Sequence, residues 1–418
     1  MAEVQERMNP AHSFPLIVHG LPYTTLIPRH LKESLASKNP YILISGSLAR
    51  NTSTLVHLTA ALHASNLFIA GVRQGMTPHT LYSEVLAVAS DVRQSNADSI
   101  LVVGGGSLVD AAKAIVFALA NGADTMDALA ELLETSNAIR TGKVKDVTQK
   151  PSVIPIMCAT TTLSGGEFNP HGGATDDRTK LKQLFSDPKM EGHKVIVCDP
   201  ALTLTAPMRV WLSTGLRAVD HCVETICSSA PKKEGTEAAL RGLKRLIPNL
   251  LRTKADPKDE RARLESQLGS MESMRPFVVY GVPVGGSHGI GHQIGPMGVP
   301  HAETTCVALP AVLKFNKRVS AERQNIVAEA LWGEETARRV FEKYNLDKEK
   351  ADLGDLLDAI IRELGFPRTL KTYGIGRDKL DAIAENALKD HLCQMNVIPL
   401  TEKEQVLEIL EMCIGDDD

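Results

Sequence analysis

The chain has few aromatic residues, no excess of positive charge and no long apolar run. Only 4% of its 418 residues are Phe, Trp or Tyr, and the formal net charge is −4. A nucleic-acid-binding protein needs a basic surface, and single strands also need aromatic platforms for stacking, so neither partner is expected. No apolar run reaches about 18 residues, so we expect no membrane-spanning helix.

Cysteine is also sparse and scattered. The chain has 7 cysteines and no C-x-x-C pair, which is typical of reduced thiols and not of a disulfide framework or a zinc ribbon. The N-terminal sequence MAEVQERMNP is charged and lacks the apolar stretch of a secretory signal. We therefore expect a cytoplasmic protein that acts on a small molecule.

Length and pattern predict more than one domain, because 418 residues exceed what one ordinary core accommodates. Up to residue 199, short β-branched runs alternate with helical patterns, which predicts a parallel sheet covered by helices on both faces. From residue 200 onward, helical patterns follow one another and strand signals nearly vanish. The predicted domains are therefore an α/β domain at 1–199 and an all-helical domain at 200–418, with a cleft between them.

The predicted elements of the two domains differ in kind. Strands are expected at residues 41–44, 67–70, 99–103, 153–156 and 195–198, and helices of the first domain at 52–65, 80–94 and 108–119. Helices of the second domain are expected at 213–228, 234–251, 259–274, 320–344, 353–364, 377–387 and 402–413.

Three consecutive glycines separate a predicted strand from a predicted helix. Gly104, Gly105 and Gly106 are followed by Ser107. Glycine lets the backbone approach phosphate oxygens, and the free N–H groups at a helix start carry partial positive charge. Ser107 can donate a hydroxyl or cap the helix. A tight turn without ligand is the plainer interpretation, but the strand–turn–helix context favours a phosphate site.

A second loop with small hydroxyl residues follows the strand expected at 153–156. It contains Thr160, Thr161 and Ser164 beside two glycines. Such residues at the carboxyl ends of parallel strands suit diphosphate or ribose contacts. The loop is predicted to form a second wall of the nucleotide site.

Histidines are concentrated in one glycine-rich segment. His288, His292 and His301 lie there, and His221 lies upstream in a predicted helix. Imidazole suits metal ligation or proton transfer near neutral pH. Arg217 stands one helical turn before His221, where a metal site would need an anion. Asp220 is about 100° around the helix from His221, so we expect it to face elsewhere.

These segments together resemble the iron-containing alcohol dehydrogenase superfamily. The matching stretches are GGGSLVDAAKAI at 104–115, the loop at 160–167, TGLRAVDHCVE at 214–224, HGIGHQIG at 288–295 and PHAETTCVALPAVLKFN at 300–316. The last of them looks most like the maleylacetate reductase branch. The resemblance implies the dehydroquinate synthase-like fold, in which a dinucleotide-binding α/β domain precedes a helical domain. It also implies an NAD(P)-dependent oxidoreductase that forms a homodimer.

The resemblance assigns cofactor contacts residue by residue. It implies a diphosphate site at Gly104, Gly105, Gly106, Ser107 and Asp110, a nicotinamide wall at Thr160, Thr161 and Ser164, and a ribose contact at Lys182. Relatives that prefer NAD often carry an aspartate after the first strand, where this chain has Ser45, Gly46 and Ser47 with Arg50 nearby. An acidic group would repel a 2′-phosphate, so its absence permits NADP as well as NAD and favours NADPH.

The family's metal ligands are an aspartate, a histidine four residues later and two downstream histidines. His221, His288 and His301 match the histidines, but Arg217 stands at the aspartate position. A guanidinium cannot ligate a cation and stays protonated. We therefore expect chemistry without a metal, and a zinc site of His221, His288 and His301 is the alternative.

Without a metal ion, Arg217 is the candidate to stabilise a substrate carboxylate or a developing enolate. His221, His288, His292 and His301 are candidates for the general acid, with His292 or His288 preferred. The leading prediction is an NAD(P)H-dependent reductase that transfers hydride to a carbonyl or a conjugated enone of a small substrate, acidic substrates included. The alternatives are a Zn- or Fe-dependent alcohol dehydrogenase and a redox-neutral isomerase or lyase on the same scaffold.

Overall fold

The fold divides into two compact units. A computed structural model describes residues 2–77, 79–146, 149–186 and 192–415. Its units are Met1–Ala206 and Pro207–Asp418, whereas the sequence placed the boundary between residues 199 and 200. Residues 200–206 stay with the first unit because the Asp199 carboxylate caps the short helix that follows it. The same carboxylate accepts a hydrogen bond of 2.6 Å from the backbone N–H of Tyr23.

The first unit is built on a seven-stranded sheet. The described strands are β1 (Val4–Arg7), β2 (Leu16–His19), β3 (Pro40–Ile44), β4 (Gly71–Gln74), β5 (Ser99–Gly104), β6 (Ile156–Thr160), β7 (His171–Thr175), β8 (Lys182–Ser186) and β9 (His193–Cys198). The sheet order is β1-β2-β9-β6-β5-β3-β4, and β7 and β8 form a separate antiparallel pair. Every neighbouring pair in the large sheet is parallel except β1 and β2. This arrangement confirms the predicted parallel sheet and adds an antiparallel edge.

The helices of the first unit connect these strands. They are α1 (Tyr23–Glu33), α2 (Gly46–Asn51), α3 (Thr54–Ala64), α4 (Tyr82–Gln94), α5 (Gly106–Asn121), α6 (Met126–Arg140) and α7 (Pro200–Thr203), with a 3-10 turn at Gly166–Phe168. Every residue of β3 and β5 is buried, which explains their continuous apolar sequences.

Two predicted strands were misplaced. The strand expected at 67–70 begins only at Gly71, and the one expected at 153–156 begins at Ile156. Phe68 is 75% exposed and Val153 is 88% exposed, so these apolar residues lie on the approach to each strand and not in the sheet. Apolar side chains are common on protein surfaces, and their sequence alone does not reveal the difference.

The second unit contains only helices within its described residues. They are α8 (Met208–Ile226), α9 (Lys233–Ala255), α10 (Glu260–Val278), α11 (Gly286–Ile294), α12 (Thr304–Trp332), α13 (Glu335–Lys343), α14 (Leu353–Leu364), α15 (Leu380–Ala387), α16 (His391–Gln394) and α17 (Lys403–Ile414). Three 3-10 turns lie at His301–Glu303, Lys371–Tyr373 and Arg377–Lys379. The predicted all-helical second half is confirmed.

The helix predicted at 320–344 corresponds to two helices, the part of α12 after Ser320 and α13. The chain is already helical from Thr304, and the helix bends at Ser320, whose φ and ψ are non-helical. It ends before Gly333, and the Glu334 carboxylate then accepts the N–H of Ala337 to start α13. A glycine next to a new N-cap residue is an ordinary helix break, which the periodicity had masked.

Helix α11 carries the glycine-rich histidine segment, and its glycines permit close packing. A Cβ at Gly289 would lie 2.5 Å from the Cys393 sulfur, and one at Gly291 would lie 2.7 Å from the Thr304 hydroxyl. A side chain at either position would push the neighbouring backbone away. The glycines therefore let α16 and α12 approach the helix that bears His288 and His292.

Across the described ranges, no single helix is both long and apolar enough to cross a membrane. By length and composition alone, α5 together with α6 up to Ile139 passes that test, but the two helices meet at a bend of 103°.

Candidate active site

The glycine turn of the first unit joins β5 to α5. Gly104 has φ +151°, a conformation that residues with a side chain rarely adopt. Gly105 is the N-cap residue and no side chain caps α5, so of the two roles open to Ser107 the cap is excluded and the hydroxyl donor stays a prediction. Ser107 lies in the first turn instead, where it is exposed. The helix start thus presents backbone N–H groups without a side-chain partner, as a phosphate site requires.

The loop after β6 is fastened to the glycine turn. The Thr161 N–H donates to the Gly104 carbonyl at 3.1 Å. The buried Thr160 hydroxyl donates to the Glu167 carboxylate at 2.9 Å, and Ser164 stays partly exposed. The structure therefore brings the two predicted cofactor segments together at the carboxyl ends of β5 and β6.

A buried lysine that the sequence reading gave no role holds this loop in place. Lys113 of α5 is 0% exposed, and its Nζ donates to the carbonyls of Gly166 at 2.7 Å and His171 at 2.6 Å. Its third neighbour is the Asp110 carboxylate at 3.5 Å. Burial lowers the pKa of Lys113, while Asp110 and Glu167 act in the opposite direction. A lysine within an apolar helix was the available sequence signal.

Lys182, the predicted ribose contact, lies on β8 with its side chain exposed. The side chain of Lys182 lies over Gly173. A Cβ added to that glycine would be 3.1 Å from the Lys182 Nζ. Burial, and then the charge of Lys182, lower the pKa of His79. The next residue, Thr80, donates its hydroxyl to the Ser107 carbonyl at 3.1 Å. Residues 79–80 thus connect the surroundings of Lys182 with the glycine turn.

In the second unit, α8 contributes the arginine that replaces the expected carboxylate. Arg217 is only 5% exposed, and its Nη1 donates to the Thr305 hydroxyl at 3.0 Å and to the Asp220 carboxylate at 3.5 Å. The prediction that Asp220 faces elsewhere was wrong. Asp220 is three positions after Arg217, so the two side chains lie on the same side of the helix.

Glu224, one turn further along α8, fixes the start of α11. Its carboxylate accepts the N–H groups of Gly285 at 3.0 Å and Ser287 at 2.8 Å. It also lies 2.7 Å from Nδ1 of His288. Burial raises the pKa of Glu224, but both of its oxygens accept backbone N–H groups. With Glu224 as the acceptor, His288 carries its proton on Nδ1, which leaves Nε2 with the lone pair. That Nε2 has no hydrogen-bond partner among the described residues.

Burial sets the charge of this cluster. It lowers the pKa of His288 and of His221 well below 6.5, and the Arg217 charge adds to both effects. Both imidazoles are therefore neutral at neutral pH, and their rings stack with centroids 4.8 Å apart. Burial, reinforced by the Glu224 charge, raises the pKa of Asp220. Asp220 nevertheless accepts hydrogen bonds from Ser287 at 2.9 Å and Thr305 at 2.7 Å.

The other two histidines form a second stacked pair. The rings of His292 and His301 are 6.2 Å apart and only 10° from parallel. Nδ1 of His292 lies 2.9 Å from the carboxylate of Asp390, a residue that the sequence analysis missed. Asp390 is 98 positions away in the chain, and its sequence context gives only an N-cap signal.

The turn that carries His301 is anchored from two directions. The buried Glu303 accepts two hydrogen bonds of 2.6 Å from Arg209 and one of 2.7 Å from the Tyr373 hydroxyl. All five predicted catalytic residues thus lie in the second unit, on α8, on α11 and on the 3-10 turn before α12.

The residues present do not fit a divalent ion at the position implied by the resemblance. The buried guanidinium of Arg217 occupies the place of the carboxylate ligand. The Asp220, Glu224 and His288 side chains offer ligand atoms within 4.8 Å of one another. However, Glu224 and His288 already bond to each other, and Asp220 lies beside the guanidinium. A cation there would meet a fixed positive charge at close range.

Comparison with known sequences places the chain in a family. Residues 17–200 match the iron-containing alcohol dehydrogenase profile, and residues 211–414 match the C-terminal profile of the Fe-containing alcohol dehydrogenase family. The chain belongs to the iron-containing alcohol dehydrogenase family, and it is an NAD(P)-dependent oxidoreductase. This membership favours hydride transfer over the redox-neutral alternative.

Similar proteins cover nearly the whole chain. Dehydrogenase ALT3 of Alternaria alternata is 36% identical over 90% of this chain and 98% of its own length. Dehydrogenase FUM7 of Gibberella moniliformis is 36% identical over 97% of both chains. The crystal structure of maleylacetate reductase from Rhizobium sp. strain MTP-10005 superposes with a TM-score of 0.73, with 22% identity and 95% of both chains covered. The last likeness concerns the fold alone.

Proposed function

We propose that the protein is a metal-independent reductase that transfers hydride from NADPH to a carbonyl or a conjugated enone of a small substrate. The observation that carries this proposal is the buried Arg217 beside neutral imidazoles. In place of a Lewis acid, the guanidinium stabilises the oxygen that becomes negative as hydride arrives at carbon.

Arg217 has donors left for this task. Only its Nη1 hydrogen-bonds to other described residues, namely Thr305 and Asp220. Nε and Nη2 are free to donate to a carbonyl or enolate oxygen. Because the Thr305 contact fixes the guanidinium before substrate binds, little reorganisation is needed during the reaction.

His292 is the best-placed proton donor. The buried His221 and His288 have pKa values lowered well below 6.5, so they carry no proton to give as imidazolium at neutral pH. The His292 side chain is 27% exposed, so solvent reaches the ring. The nicotinamide, when bound, would supply the hydride. His292 in its imidazolium form would give the Nε2 proton to the electron pair displaced on the substrate and keep the proton on Nδ1. Solvent then reprotonates the ring.

The charges around Arg217 are relevant to the prediction that the substrate is acidic. Glu224 offsets Arg217, and Asp220 accepts a hydrogen bond from the same guanidinium. The cluster therefore recognises an oxygen through directed hydrogen bonds more than through a net positive charge. A carboxylate on the substrate stays a prediction. Comparing kcat/KM for a keto acid and its methyl ester tests it, because a carboxylate contact to Arg217 requires the acid to be the better substrate.

The cofactor preference rests on the surroundings of Gly46. The segment from Ser45 to Arg50 has no carboxylate, and Arg50 is exposed with its guanidinium over Gly46. A basic group there suits a 2′-phosphate. The Gly46→Asp variant should lower kcat/KM for NADPH by roughly 10-fold or more and spare NADH. Equal losses with both cofactors would contradict the preference for NADPH.

Metal independence is tested by elemental analysis of the purified active enzyme and by its activity after dialysis against a chelator. We expect no stoichiometric zinc or iron and full activity. Stoichiometric metal whose removal abolishes turnover would favour the alternative, a Zn- or Fe-dependent alcohol dehydrogenase. The Arg217→Asp variant adds a carboxylate to the predicted zinc ligands His221, His288 and His301. It should therefore bind zinc more tightly than the Arg217→Ala variant.

The reaction class is tested with small aldehydes, ketones and enones, following the absorbance of the reduced nicotinamide. Turnover with NADPH supports the proposal, and substrate conversion without cofactor oxidation contradicts it. From the family resemblance we also propose a cytoplasmic homodimer. Light scattering on the purified protein gives its mass and tests the dimer.

A further inference from the structure

We propose that Asp390 is the positioning residue that holds His292 in the tautomer and orientation needed for proton delivery. This inference rests on the proposed role of His292 as proton donor. It concerns a residue that neither the sequence motifs nor the family membership assigned to the site.

Asp390 divides its two carboxylate oxygens between two tasks. Oδ1 accepts the N–H of Leu392 at 2.9 Å and so caps the short helix α16. Oδ2 lies 2.9 Å from Nδ1 of His292 and accepts the side-chain amide of Gln293 at 3.3 Å. Both oxygens act as acceptors, so the hydrogen on Nδ1 of His292 points at the carboxylate.

The backbone around Asp390 makes this acceptor rigid. Its own N–H donates to the Ala387 carbonyl at 3.0 Å, and its carbonyl accepts the N–H of Cys393 at 3.1 Å. The missing Cβ of Gly289 allows the Cys393 backbone to lie against α11. Asp390 is therefore held at a fixed distance from the helix that carries His292.

The contact with Asp390 also determines the role of the other ring nitrogen of His292, Nε2. With Nδ1–H held by Asp390, Nε2 of His292 has no hydrogen bond to any other described residue. Nε2 is therefore the atom from which the imidazolium gives its proton, and the ring returns to the Nδ1–H tautomer. The His301 ring lies nearly parallel to this imidazole, with the centroids 6.2 Å apart. Asp390 thus acts through His292 and does not need to touch the substrate.

Two variants separate this role from helix capping. Asp390→Asn and Asp390→Ser both keep a side chain that caps α16 well. In Asp390→Asn the cap requires the amide oxygen, so the amide nitrogen faces Nδ1 of His292 and forces the proton to Nε2. In Asp390→Ser the side chain is too short to reach the ring. Gln293→Ala is the matched control, because it removes the other donor to Oδ2 and leaves the His292 contact intact.

The first readout is the His292 tautomer in the full-length protein, measured by ¹⁵N NMR of histidine-labelled enzyme with His292→Gln for assignment. We expect the Nδ1–H form in the wild type and in Gln293→Ala, and a shift towards Nε2–H in Asp390→Asn. The second readout is kinetic. In both Asp390 variants kcat should fall by roughly 10-fold or more while KM changes by less than about twofold.

The tautomer and kcat together distinguish a positioning role of Asp390 from helix capping alone. An unchanged tautomer in Asp390→Asn, or wild-type kcat in both Asp390 variants without a tautomer change, overturns the positioning role and leaves only the cap. A changed tautomer with lower kcat supports it. A changed tautomer with wild-type kcat supports the control of the ring by Asp390 and overturns the proton-donor role of His292 proposed above.

Discussion

Lys113 of the first unit and Arg217 of the second are buried cations, each beside a candidate binding segment, and their N–H donors are satisfied to different extents. Lys113 in the first unit has three acceptors for its three N–H groups, namely two carbonyls and Asp110. Arg217 in the second unit uses only Nη1 within the described residues. A cation whose donors are all occupied serves the fold, whereas one with donors left over is available to a ligand. This difference separates a structural cation from a catalytic one.

The largest expected effect is a loss of stability when Lys113, whose three N–H groups all have acceptors, is replaced. The Lys113→Met variant removes the donor to Gly166 and His171 and leaves Asp110 and Glu167 without their counter-charge. We expect the free energy of unfolding to fall by about 3–5 kcal/mol, as for other broken buried pairs. Chemical denaturation measures it.

The control is Lys143→Met, which makes the same change on an exposed lysine. A loss of less than about 1 kcal/mol in Lys113→Met would mean that the buried amine holds nothing and that the comparison fails.

The second effect is a loss of activity when Arg217, which has N–H donors left over, is replaced. The Arg217→Met variant should lower kcat/KM by roughly 10²–10³-fold, because the developing oxyanion loses its donors. Stability should change less, since the pKa of Asp220 is already raised by burial and the carboxyl can take up a proton. Steady-state kinetics and denaturation are measured on the same samples.

Arg217→Lys sharpens this result. Lysine keeps the charge but offers a point donor without the planar geometry, so kcat/KM should lie between those of the wild type and Arg217→Met. If Arg217→Met unfolded more readily than Lys113→Met and kept its kcat/KM, the assignment of the two cations would be reversed.

The smallest effect is a pH dependence in the first unit. Burial lowers the pKa of His193 well below 6.5, with Lys113 adding to the effect. Below pH 6.5 the unfolded chain therefore binds a proton that the folded chain cannot, and stability falls as the pH drops. The contribution is about 1.4 kcal/mol per pH unit until the folded pKa is reached, and it vanishes above pH 6.5.

The His193→Phe variant should lose this slope, and the exposed His57→Phe should keep it. The raised pKa of Glu167 gives a slope of opposite sign above pH 4.5, so the difference between variant and wild type is the quantity to compare. Identical pH profiles for His193→Phe and the wild type would show that this imidazole does not titrate with folding.

The sequence predicted the bounds of a helix well where capping residues mark both of its ends. Helix α14 runs from Leu353 to Leu364 as predicted, because Asp352 and Asp355 form a capping box and Gly365 ends the helix in a left-handed conformation. The start of β4 was missed, because sheet pairing and not composition decides where a strand begins. The break at Gly333 between α12 and α13 was likewise missed, because the apolar periodicity continues across it.

The active-site motifs were visible, but their partners were not. Arg217, His221 and His288 stand in recognisable segments. Thr305 and Asp390, which hold Arg217 and His292, lie 88 and 98 positions away from them in the chain. Asp220 was misjudged because its angle was compared with His221 and not with Arg217.

The sequence by itself determined the family, the division into a sheet-based unit and a helical unit, and the arginine at the position of a metal-binding carboxylate. These features depend on residue types and short spacings. Only the tertiary structure decided which donors each buried cation keeps and which carboxylate orients each histidine. Hydrogen bonds extend only about 3 Å, and the chain does not show which of its distant residues come that close until it is folded.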